Sequence, residues 1–218
     1  MPRLPRPARA FAALAALAAL SAGACASRDV TGPSSAATAP ADRATVPVRA
    51  CDGPAPAASL PAALAATIPA PPAPGARGFT SDDQLAALAR QAPGGFAGVF
   101  YDNQGATPVL LLVDPSRGAA AKAALAGQLP GFALAGAEVR AARWDFAQLY
   151  DWYRYLNAQG LWRAEPGLTL TDIDERRNRL YYGAADAAAR DRLAARLAAL
   201  GVPCDLVLVG VSPPAMLL

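Results

Sequence analysis

Asp172, Asp174 and Glu175 crowd three carboxylates into one short segment, and on a strand Asp172 and Asp174 project from the same face. Such a group is suited either to holding a cation or to acid-base work. The segment lacks the central glycine and distal glutamate of a calcium loop, and Arg176, Arg177 and Arg179 stand beside it to neutralise its charge. It therefore reads first as a solvated hairpin turn. The chain contains no histidine, which rules out Ser-His-Asp and Cys-His machinery, histidine general bases and the usual zinc sites. Any catalysis would run on carboxylates, Tyr, Lys or Arg. Lys122, the single lysine, falls on the polar part of a helix and reads as a solvated side chain. No catalytic residue, metal or cofactor is assigned from the sequence.

The densest aromatic group is Trp144, Tyr150, Trp152, Tyr153, Tyr155 and Trp162. Phe146, Leu149, Tyr153 and Leu156 recur at steps of three and four and predict the buried stripe of a helix. That assignment leaves Trp152 and Tyr155 on the flanks, next to Arg154, as a candidate surface for docking another exported protein or stacking on the sugar rings of a cell-wall glycan. The plainer alternative is a shoulder of the core. A glycan-cleaving enzyme would instead need Asp172 or Asp174 in a cleft opposite a second carboxylate, beside Trp152.

The elements that must position these residues begin after a compositional break. Residues 1–24 carry Arg3, Arg6 and Arg9, then an unbroken apolar run from Ala10 to Leu20, then small residues up to Cys25. The run is too short for a spanning helix, which needs about 20 residues. It reads as an export signal. The segment resembles a bacterial lipoprotein signal, with Ala22 where that motif usually has Leu; the resemblance implies lipidation of Cys25 and anchoring to a membrane. Ordinary cleavage after Ala24 or Ala26, giving a soluble periplasmic or secreted protein, is the alternative. Twenty Lys and Arg stand against 17 Asp and Glu, and loss of the three signal arginines brings the two into balance. Charge thus gives no argument for nucleic acid.

Of three cysteines, Cys51 and Cys204 remain in the exported chain, and an even count in an oxidising compartment suggests one disulfide between them. Two unrelated thiols, Cys204 being a small buried apolar residue, are the alternative. Residues 25–78 are rich in Ala and Pro and predict a disordered tether, with a turn or two of helix between Ser59 and Ile68.

Residues 79–218 alternate strand and helix signals. Ser81 to Gln84 matches a capping box for a first helix. Phe96–Tyr101 and Thr107–Val113 read as strands, Asp114 caps a helix reaching about Leu129, and Ala137–Arg143 is a further strand. A helix opens at Asp145. Leu168–Ile173 and Asn178–Ala184 are strands, Asp186 caps a helix with Leu193, Leu197 and Leu200 inward, and Leu206–Val211 closes the domain. The separation from Asp102 to Asp114 equals that from Asp174 to Asp186, so the domain reads as two strand-strand-helix-strand units, about 95–144 and 167–212, joined by a helix. The prediction is an α+β fold of two layers, with antiparallel-rich sheets, helices on one face, and strand order 2-1-3 within each unit.

The segments Gly95 to Asp102 and Asp172 to Gly183 resemble the repeated hairpins in pro-domains of bacterial secreted chymotrypsin-like proteases. No protease domain follows in this chain. The resemblance therefore implies a similar fold used alone, to bind another exported protein. Together these readings lead to the expectation of an exported, lipid-anchored cell-envelope protein with a non-catalytic binding or scaffolding domain, and a small carboxylate-dependent enzyme on cell-wall glycans as the alternative.

Overall fold

In chain order the elements are β1 (Val46–Pro47), α1 (Ala62–Ala65), α2 (Ser81–Ala89), β2 (Phe96–Asp102), β3 (Thr107–Leu112), α3 (Gly118–Leu125), β4 (Glu138–Ala141), α4 (Phe146–Ala158), α5 (Leu161–Ala164), β5 (Leu168–Asp174), β6 (Arg179–Ala184), α6 (Ala187–Ala199) and β7 (Val207–Val211). They are taken from a computed structural model that describes residues 45–53, 57–102, 105 and 107–212. Cys25 and the signal-like segment lie outside the described residues. No helix among the described residues is long and apolar enough to cross a membrane.

The fold is α+β, with two mixed sheets of order β2-β3-β4 and β1-β7-β6-β5. In each unit an antiparallel hairpin is followed by a helix and by a strand parallel to the second hairpin strand. The two units correspond at a constant offset, Phe96 with Leu168, Asp102 with Asp174 and Asp114 with Asp186. Both hairpins shift register near their start, between Phe96 and Gly98 and between Leu168 and Leu170.

The strand order is 1-2-3 in each unit, not the expected 2-1-3. A helix that leaves the second strand and runs back along it delivers the next strand directly beside the second, without skipping a neighbour. The flank of β2 is instead met by the β5–β6 turn, where Arg176 Nη2 donates to the Tyr101 oxygen at 2.7 Å.

One core spans both units, with Phe96, Leu110 and Leu112 from the first, Phe146, Leu149 and Leu156 from α4, and Leu180, Leu193 and Val209 from the second. Ala97, Val109 and Leu111 form a smaller cluster of their own. The β2–β3 hairpin therefore buries apolar side chains on both faces, where a single covered face was expected. Its near-continuous apolar sequence, Val109 to Leu112, is that of a strand buried on both sides.

Caps set the helix boundaries. Asp145 Oδ1 accepts from the Gln148 amide at 2.7 Å and Gln148 Oε1 accepts from the Asp145 amide at 3.2 Å, the reciprocal box read from the sequence. Asp186 Oδ1 accepts from the Ala189 amide at 2.7 Å. Asp114 caps only a 3-10 turn over Pro115–Arg117, and α3 stops at Leu125, just ahead of Gly127 in the left-handed region. Lys122 is not a free surface lysine, since its Nζ donates to the Ala137 oxygen at 2.6 Å and ties α3 to the approach to β4.

Parts of the stretch assigned by composition to a disordered tether lie on the domain. Val46 pairs antiparallel with Val209, the Val48 amide donates to the Val207 oxygen at 3.0 Å, and the Asp205 amide donates to the Arg49 oxygen at 2.7 Å. Cys51 and Cys204 are joined, with Cα atoms 5.1 Å apart. Farther along, Leu60, Leu64 and Ile68 pack against the core from the strap that contains α1. These few aliphatic residues, spaced at four, give an otherwise Ala- and Pro-rich segment enough apolar surface to bind.

Candidate functional site

The carboxylates gather from two elements. Helix α2 starts one residue earlier than the sequence suggests, because Thr80 rather than Ser81 is its cap: Thr80 Oγ1 accepts from the Asp83 amide at 3.3 Å, and Asp83 Oδ2 accepts from the Thr80 amide at 2.8 Å. The second oxygen of Asp83 accepts from the Tyr150 hydroxyl on α4. Burial pushes the Asp83 carboxyl up, but the hydrogen bonds from Tyr150 and Thr80 outweigh it and hold the group below the usual carboxylate range. Burial, reinforced by Asp83, pushes the Tyr150 phenol far above its ordinary value. Asp83 is thus fixed inside the fold, and Asp82 lines a cleft.

That cleft, of about 340 Å³, runs between α2, β2 and the segment Gln128 to Phe132. Leu85, Val99, Leu129 and Phe132 supply apolar walls, and Asp82 and Glu175 supply carboxylates. Glu175 arrives from the β5–β6 turn, whose tight geometry is set by Asn178 at φ 54°, with its main-chain N–H donating to the main-chain oxygen of Glu175 at 3.0 Å. Gly98, at the register shift of β2, makes room for it. A Cβ at Gly98 would sit 2.9 Å from the Glu175 Cβ.

Burial pushes Glu175 up to about 7, and the charges of Asp172, Asp82 and Asp174 add to the effect. Asp82 is raised by burial first and then by Asp172 and Asp83. Asp172 is raised by burial and by Asp174. The site holds several like charges in a partly dry environment, so it can accept a cation or keep one carboxyl protonated near neutral pH. Among the described residues no three metal-ligating side chains converge.

The expected neutralisation by the adjacent arginines holds for one carboxylate. Arg177 pairs with Asp174 at 2.9 Å. Arg176 turns away to Asp102 and lies over the Phe100 ring, 4.8 Å from its centroid. Arg179 donates to the Asn178 oxygen. Asp172 and Asp174 lie across β5 from the buried Ile173, on one face as read from the sequence, but neither lines the cleft. Asp82, Glu175 and Gly98 carry the site instead. Glu175 belongs to the acidic segment singled out in the sequence and Asp82 to the capping box of the first helix, while Gly98 is a glycine inside a strand, which often marks a bulge or a close approach.

The aromatic surface is not where the helix stripe placed it. Trp152 is 3% exposed and Tyr155 7%. Trp152 Nε1 donates to the Ala58 oxygen at 2.9 Å, Gln148 Nε2 donates to Ser59 Oγ at 3.1 Å, and Arg154 donates to the Pro69 oxygen. The chain's own strap covers the flank of α4 that the periodicity left open. Tyr153, placed on the stripe, is only partly buried and shares a hydrogen bond with Thr171 at 3.2 Å. Trp162, at 51%, is the exposed tryptophan.

No protein-family model matches this chain, and no curated protein matches it.

Proposed function

We propose that this chain is an exported cell-envelope protein, held to a membrane by a lipid on Cys25, whose folded domain binds a partner without transforming it. The observation that carries the binding reading is the cleft between α2 and β2, which sets Asp82 and Glu175 beside Leu85, Val99, Leu129 and Phe132. A ligand that presents a cation next to an apolar group fits both parts of such a lining. A basic, aromatic or aliphatic segment of another exported polypeptide has that chemistry. The membrane reading rests on the N-terminal sequence, from Arg3 to Cys25.

Two measurements test the two halves. Mass spectrometry of the mature N-terminus should find diacylglyceryl-Cys25; an unmodified terminus in the soluble fraction overturns the anchor. Fluorescence polarisation with labelled peptides carrying one Lys or Arg beside Phe or Leu should give saturable binding that Asp82→Asn and Glu175→Gln each weaken about tenfold. Unaltered affinity in both variants overturns the cleft.

One observation favours a second reading. A Glu175 pushed up to about 7, close to the charges of Asp172 and Asp82, has the protonation behaviour of a general acid, and a carboxylate-dependent enzyme acting on cell-wall glycans would use it. Release of reducing sugar from purified cell-wall glycan, abolished by Glu175→Gln, would establish it in place of binding alone.

A further inference from the structure

The disulfide has a cation built against it. Arg143 Nη1 and Nη2 each lie 3.3 Å from Cys51 Sγ, while the contact to Cys204 Sγ is 3.7 Å from Nη2. The main chain that carries the guanidinium is fixed by Asn178. The Arg143 and Trp144 amides both donate to Asn178 Oδ1, at 2.9 and 2.8 Å, and Asn178 Nδ2 returns a bond to the Trp144 oxygen at 2.8 Å. The guanidinium carbon lies 5.3 Å from the Trp144 ring centroid.

The charges around the bridge are unequal. Asp205 is the carboxylate on this cluster and pairs with Arg143 Nη1 at 3.2 Å. Arg179 also faces it: burial holds the Arg179 guanidinium below its ordinary value, with Asp205 opposing and Arg143 reinforcing that shift. Arg49 is committed to the Val202 oxygen at 3.1 Å, and Asp52, next to Cys51, is exposed. Positive charge is therefore in excess at the sulfurs, and it is aimed at Cys51.

We propose that Cys51–Cys204 is a thiol-exchange site, with Cys51 as its leaving sulfur. In exchange, the sulfur that departs faster is the one whose thiolate is better stabilised, and a neighbouring arginine stabilises a thiolate. The thiolate of an exported dithiol protein attacks Cys204 Sγ. A new S–S bond forms there as the Cys51–Cys204 bond breaks, and the electron pair leaves on Cys51, facing Arg143. The second thiol of the dithiol then attacks its own partner sulfur. Two electrons pass to the bridge, the dithiol becomes a disulfide, one proton goes to Cys204 and one to solvent. The opened segment carrying β1 is then held by its main-chain bonds to β7 and Asp205 and by Arg49. This inference rests on the geometry at the bridge and is independent of the cleft.

Brief exposure of the native full chain to excess reduced glutathione, trapping of the released thiol with N-ethylmaleimide and peptide mapping tests it directly. Glutathione is expected on Cys204, and N-ethylmaleimide on Cys51, in about a fivefold excess over the reverse pattern. Arg143→Gln, checked for folding by circular dichroism, should bring the two patterns toward equality. An even partition in the native protein, or glutathione mainly on Cys51, overturns the proposal, and so does an unchanged ratio in a folded Arg143→Gln. If that variant does not fold, the native partition alone decides.

Discussion

Trp152 on α4 donates its indole N–H to the main-chain oxygen of Ala58, 2.9 Å away and 94 residues earlier in the chain. The bond reads no side chain on the strap, only its backbone, and with it the strap becomes part of the domain. Trp152→Ala should therefore cost about 3 to 5 kcal/mol, comparable to Phe146→Ala, because both rings are buried. Urea unfolding of the two variants checks this. A Trp152→Ala protein as stable as the parent would mean that the strap does not cover α4 in solution.

Tyr150→Phe removes one hydrogen bond from a buried carboxylate. It should destabilise the domain by about 1 to 3 kcal/mol at neutral pH. The Asp83 pKa is depressed in the fold, so its contribution exists above the unfolded carboxylate value and is lost as pH falls through the folded one. The difference between parent and variant should shrink as the pH drops below about 4. A difference that stays constant from pH 7 to pH 3 would place the effect in packing rather than in Asp83.

Glu175 gives the opposite sign. Its folded pKa is raised to about 7, so its contribution is fully present below the unfolded glutamate value and is lost as pH rises through about 7. Glu175→Gln, which stays neutral, should match the parent near pH 4 and be more stable by about 1 to 2 kcal/mol at pH 8, a figure reduced from the full linkage value because the cleft is open to water. Chemical denaturation at both pH values checks it. Equal stability at pH 8 would show that Glu175 ionises without penalty.

Gly98→Ala should separate the cleft from the rest of the fold. The added methyl would meet the Glu175 Cβ at 2.9 Å, at a position with φ 140° that L side chains rarely adopt. A loss of about 1 to 3 kcal/mol is expected, together with a Glu175 carboxyl that titrates closer to its ordinary value once the turn is displaced. The carbon-13 shift of the Glu175 carboxyl, followed against pH, reports the second effect; an unaltered titration would show that Gly98 does not position the turn.

What could be read from the sequence was local. The matching separations Asp102 to Asp114 and Asp174 to Asp186 revealed two units, and the last two cysteines revealed their bridge. The strand order was hidden because hairpin and helix signals say which elements exist and not which edge the third strand takes. The strap was hidden for a different reason: Trp152 and Arg154 hold Ala58 and Pro69 through carbonyl oxygens, which every residue possesses. The cleft was only half legible. Asp82 and Glu175 lie far apart in sequence, and their juxtaposition depends on a cap at Thr80 and a gap at Gly98.

The bridge between Cys51 and Cys204 also decides how the protein carries mechanical load. Cys51 follows β1, Cys204 precedes β7, and these two strands lie side by side. Tension applied between the two ends of the oxidised chain would cross from one to the other through a covalent bond, bypassing both hairpins, the connecting helix and the cleft. Such a pull loads the pairing of β7 with its two neighbours, β1 and β6, and nothing beyond them. Once the bridge is reduced, the same tension runs through every element in turn, and the domain changes from a rigid bead into an extensible spring.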